Sequence, residues 1–85
     1  MNLSAKELHA RREKTILAKE ATYSAWRKTA SITTDLNEIA TILALAECNT
    51  AAAEALRAAS QVSNLSTNLK EQCDALHEVL MNIKK

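Results

Sequence analysis

Cys73 and His77 stand four residues apart in a strongly helix-forming stretch, so both side chains share one helix face. A thiol and an imidazole so placed form half of a zinc site, with Asp74 and Glu78 beside them. A structural zinc takes four ligands, usually Cys and His at close spacing. Here Cys48 and His9 would have to complete the set from remote positions, and the spacing matches no finger pattern. The same pair read as nucleophile and base needs a lowered thiol pKa, an oriented imidazole and an oxyanion hole. Two side chains on one helix supply neither a cleft nor converging backbone amides. The plainer reading is a Cys that packs as a small hydrophobe and a solvated His. The expectation is therefore no enzyme, no metal, no cofactor and no small-molecule substrate.

Binding to phosphate is the next chemistry to weigh. Residues 1–31 carry seven Lys/Arg against three Glu, whereas residues 32–85 carry four against seven Asp/Glu. Placed at 100° per residue, the basic side chains from Lys6 to Lys28 surround their helix and line no stripe. A phosphate-binding surface concentrates its charge, and the net charge of +1 offers no bulk attraction to nucleic acid or an anionic membrane. Partners of either kind are not expected, and a small DNA-associated regulator using the basic first helix is the alternative function. Tyr23 and Trp26, three apart beside Leu8 and Ala30, read as core residues or partner anchors.

What must position these side chains is set by two absences: the chain has no glycine and no proline. Average usage would give roughly ten in this length. Primed hairpin turns, glycine-rich phosphate loops and EF-hand loops all depend on glycine. Long helices joined by Ser/Thr/Asn/Asp linkers remain. Hydrophobic residues make up 47% of the sequence, but many are alanine and Phe is absent, so the core is aliphatic and thin. A single helical domain over 1–85 of this size has limited stability alone, and dependence on a partner is expected. No stretch reads as a secretory signal or a membrane span, and with reduced thiols the chain reads as soluble and cytoplasmic.

Ser4-Ala5-Lys6-Glu7 is a capping box, with Leu3 and Leu8 as its hydrophobic staple. The polar clusters Ser31–Asp35 and Ser60–Asn68 predict two breaks. The expected fold is all-α, an antiparallel three-helix bundle with helices at about 4–30, 34–59 and 63–84. Against the second break, Val62, Leu65, Leu69, Gln72, Leu76, Val79 and Ile83 alternate spacings of three and four, a heptad seam. Extended backwards, it implies the alternative: a long helical hairpin that oligomerises, with Gln72 fixing register or oligomer state.

Charge spacing predicts a register for the first two helices. Arg12 and Lys19 interrupt one apolar face, and Glu47 and Glu54 interrupt another, each pair seven apart. Pairing Arg12 with Glu54 and Lys19 with Glu47 puts the midpoint of both at residue 33, inside the predicted linker. Partly buried pairs of this kind discriminate register more than they stabilise.

The run Ala-Ala-Ala-Glu-Ala-Leu from Ala51, followed by Ser-Asn-Leu-Ser-Thr-Asn-Leu-Lys-Glu-Gln, resembles the final helix of bacterial chemoreceptor cytoplasmic bundles in its Ala/Ser/Gln-rich heptads. The likeness covers about a third of the chain. That family's hairpin tip is missing, so the resemblance implies no signalling role. In size and helical composition the chain is also similar to small bacterial secretion co-chaperones. The expected function is a non-catalytic helical protein–protein interaction module: an adaptor, assembly subunit or small co-chaperone. Its partner would be another protein met by helix–helix packing, or a second copy. Leu45 and Leu56, on a helix apolar on two opposite faces, join Tyr23 and Trp26 as candidate partner-binding residues.

Overall fold

In a computed structural model, which describes residues 4–84, the chain is two long helices, α1 (Ala5–Leu45) and α2 (Asn49–Lys84), packed antiparallel. The first helix starts where the capping box places it. The Glu7 amide donates to Ser4 Oγ at 3.2 Å and the Ser4 amide donates to the Glu7 carboxylate at 3.3 Å. Leu3, the outer half of the predicted staple, lies outside the described residues. Ser4→Ala removes the acceptor for one orphan amide and should cost about 1 kcal/mol in urea denaturation. An unchanged midpoint would show that the first turn of α1 contributes nothing to global stability.

The fold is all-α, but it is a helical hairpin and not a three-helix bundle. Neither polar cluster breaks its helix. Around the first, the Thr29, Thr33 and Thr34 hydroxyls donate to the carbonyls of Ala25, Thr29 and Ala30, four residues back, at 2.9–3.3 Å. The hydroxyl that would compete for backbone in a linker is thus satisfied inside the helix, leaving the threonine methyl free to pack. In the second cluster, Thr67 bonds back to Ser63 in the same way, at 3.2 Å.

The chain reverses at Ala46-Glu47-Cys48, where no glycine, proline or asparagine marks a turn. The Cys48 amide donates to the Leu43 carbonyl at 2.9 Å and the Glu47 amide to Ala44 at 3.0 Å. This is the Schellman pair of bonds, which needs a left-handed residue just past the cap. Glu47 takes that conformation, with φ of 62°. Glycine enters this region without Cβ strain, whereas other residues cost about 1–2 kcal/mol. Glu47→Gly should therefore raise stability by about 1 kcal/mol after its greater unfolded-state entropy is subtracted. A lower thermal midpoint for the variant would contradict this account of the turn.

Two lengths follow. At about 1.5 Å per residue α1 alone is about 61 Å long, and the molecule measures 64 × 15 × 15 Å. One seam joins the helices. On α2 the buried side chains are Ala52, Ala59, Ser66, Cys73 and Leu80, every seventh residue, and Ala55, Val62, Leu69, Leu76 and Ile83 are half-buried between them. The alternate spacing of three and four is that of a heptad core. The predicted seam was right at Val62, Leu69, Leu76 and Ile83 and one residue out at Leu65, Gln72 and Val79, all three of which are exposed. On α1 the matching positions include Thr15, Thr22, Thr29, Leu36 and Leu43, with Lys19, Trp26, Thr33 and Ala40 between. The small residues on both helices let the backbones approach closely.

Candidate functional site

The seam determines where every candidate residue falls. Trp26 is the one bulky aromatic in it. The Tyr23 ring meets the Trp26 indole edge-on at 5.6 Å, the Lys70 ammonium from α2 lies 5.6 Å from its centroid, and Ser66 Oγ donates to its backbone carbonyl at 3.5 Å. Trp26 thus ties the helices together halfway along the hairpin, while Tyr23 remains half-exposed beside it with the Arg27 guanidinium at its hydroxyl (3.3 Å).

Leu45 and Leu56 come together. They line one open groove of about 350 Å³ near the turn, with Ala40, Thr41, Ala44 and Ala52. Leu45 is 81% exposed and Leu56 54%. A second groove of about 510 Å³, lined by Ile16, Lys19, Glu20, Tyr23 and Leu80, opens on the same flank toward the other end of the hairpin. Of its lining, Tyr23 and Lys19 are candidates from the sequence, whereas Ile16, Glu20 and Leu80 are not. The signal was there in the spacing of Ile16 and Tyr23, seven apart.

The charged pairs expected to set register do not meet. Trp26 bonds with Ser66 and Lys19 with His77, pairs whose midpoints are residues 46 and 48. Moving the turn from residue 33 to Glu47 leaves Lys19 roughly 40 Å from Glu47 along α1, and separates Arg12 from Glu54 by a similar length. Lys19 instead donates to His77 Nδ1 at 2.9 Å, and its backbone carbonyl accepts from Cys73 Sγ at 3.7 Å. Among the described residues the one salt bridge, Lys70–Asp74 at 3.2 Å, lies within α2. Both of its ends are solvated, so it adds little. Register therefore rests on seam shape, on the Trp26 contacts and on the bonds of Lys19 to His77 and Cys73. Gln72 sits on the exposed flank next to the seam.

The residues weighed for zinc are dispersed: Cys73 is in the seam, His77 on the flank, Cys48 at the turn, and His9 in the first turns of α1. Among the described residues no three His, Cys, Asp or Glu side chains are grouped to hold a metal. No helix among them is long and apolar enough to cross a membrane. No protein-family model, curated protein or solved structure matches the chain.

Proposed function

We propose that this chain is a non-catalytic helical interaction module that receives a helix of another protein in the groove between Leu45 and Leu56. One observation carries the reading. A hairpin with a single seam buries few of its large side chains, and it gathers two leucines from different helices into one open apolar groove at the turn. An amphipathic helix laid into such a groove buries its own apolar face against both. An adaptor, an assembly subunit and a small co-chaperone all work this way.

A photo-crosslinking side chain placed at Leu45 in cells should give one discrete protein adduct, and the same probe at Asn64 should give none. No adduct at Leu45 or Leu56 would sink the reading. The nucleic-acid alternative is separated by salt. Phosphate binding weakens steeply as ionic strength rises, whereas the apolar groove should hold its partner with little change.

A further inference from the structure

The two flanks of the hairpin differ in chemistry. The groove flank carries Lys19, Lys70 and His77. On the opposite flank, the positions just before each buried residue of α2 include Ala58, Leu65 and Val79, and the matching row of α1 includes Ala25, Ile32 and Ile39. Neither row holds a charged residue between Ala18 and Ile39 or between Ala51 and Val79. Ile32, Ile39 and Leu65 are each about half exposed, at 47%, 47% and 50%. A two-stranded coiled coil needs only its two-of-seven seam. An apolar face extended to the neighbouring row on both helices is the pattern of a larger bundle.

Area points the same way. The chain exposes 6507 Å², where a folded monomer of 9.3 kDa exposes about 5,000 Å². The surplus is roughly 1,500 Å² per chain. Covering it by pairing two chains would bury roughly 3,000 Å² in total, within the range of obligate dimers.

We propose that a second copy of this chain covers this flank, giving a four-helix bundle with both turns at the same end. A two-fold contact sets each surface patch against itself, and an apolar patch free of charge meets itself without burying any charge. The rim fits too. With turns together, Lys28 of one copy comes level with Asn68 of the other and Asp35 with Gln61, so charges meet amides. Orientation follows from where the bulk lies: Ile32, Ile39 and Leu65 all sit in the half nearer the turn. Reversing one copy end for end at full overlap would set Ile39 against Arg11 and Lys14. In the turn-together arrangement α1 of each copy neighbours α2 of both copies, and every neighbouring pair is antiparallel. Gln72 is the polar break in the α2 row, where an amide weakens the contact while restricting it to one register.

The inference concerns the flank opposite the groove, so it stands or fails independently of the reading of Leu45 and Leu56. Light scattering on the full chain should give twice the 9.3 kDa chain mass. The surface pair Ile32→Glu and Leu65→Glu should give the single mass, while Leu45→Glu on the other side should leave the dimer intact. Gln72→Leu should tighten association by about tenfold or more, since apolar area replaces a desolvated amide. Orientation is read separately by spin-labelling Cys48, the exposed thiol at the turn, in a Cys73→Ala background. The two labels should lie within the width of the bundle. A monomeric wild-type chain, a doubly substituted chain that remains dimeric, or labels separated by a hairpin length of about 64 Å would each overturn the proposal.

Discussion

Ala59→Asp is expected to lower the hairpin's stability by about 3–5 kcal/mol, while the same aspartate one residue on, at Ser60, should change it little. Ala59 is 3% exposed in the seam. A carboxylate there would lose its hydration without gaining a partner, because among the described residues no basic side chain stands in the seam near it. Leaving a buried charge unpaired costs about 3–5 kcal/mol. At about 0.05–0.15 kcal/mol per residue, a chain of this length has a total stability of about 4–13 kcal/mol. The loss is about a quarter of the upper figure and all of the lower one, so a chain at the lower end of that range would be unfolded at room temperature. Ser60 is exposed on the outer surface, where a substitution of this kind changes stability by less than about 0.5 kcal/mol. Far-UV circular dichroism against urea reads both variants. Equal midpoints would mean that the seam does not run through Ala59, and the heptad from Ala52 to Leu80 would have to be abandoned.

The contrast between neighbouring positions matters because the sequence places the seam only half correctly. Leucine and valine draw a seam through Leu65, Gln72 and Val79. Burial puts it through Ser66, Cys73 and Leu80. Hydropathy favours large side chains, yet helices that approach closely select small ones, and the small ones leave weak apolar signals. Threonine has the same effect on α1. Ser31, Thr33 and Thr34 read as a linker because their hydroxyls can bond locally to the backbone. Here those local bonds run back along the helix, and the β-branched methyl becomes packing surface. The spacing of Thr15, Thr22 and Thr29, continued by Leu36 and Leu43, was a seven-residue repeat legible in the sequence once threonine is counted as a seam residue.

The turn was the harder feature to find. Ala46-Glu47-Cys48 carries none of the residues that usually end a helix, and a glutamate holds the left-handed position that glycine normally takes. The weak helix formers Cys48, Asn49 and Thr50 are its one local mark. The start of α1 was legible because a capping box is a two-residue reciprocal signal, and it is present as read. The candidate groove was half legible. In the sequence Leu45 and Leu56 read as surplus apolar residues on one helix, and the reversal between them is what makes them neighbours across two helices. The predicted ion pairs failed for the same reason: charge spacing of seven repeats along both helices, so it admits several registers and cannot select the turn.

Trp26→Ala should remove about 2–3 kcal/mol, less than the ~3–5 kcal/mol typical of a fully buried tryptophan because the side chain is only half-buried. It is nonetheless the one bulky aromatic side chain in the seam. Its truncation removes the edge contact with Tyr23 at 5.6 Å and the cation of Lys70 at 5.6 Å. The Ser66 hydroxyl bond goes to the backbone carbonyl and survives the change. Trp26→Phe should recover more than half of the loss, since the ring contact is kept while the stronger attraction of indole for the ammonium is reduced. Coupling between positions 26 and 70 in a double-mutant cycle with Lys70→Met should be about 0.5–1 kcal/mol. Because this is the chain's only tryptophan, the comparison must use circular dichroism rather than fluorescence. The outcome also separates the two roles the sequence left open for Trp26. A seam residue lowers the stability of the purified chain when truncated. A partner anchor leaves the purified chain unchanged and weakens only its complex, and that result would move Trp26 out of the hairpin's core.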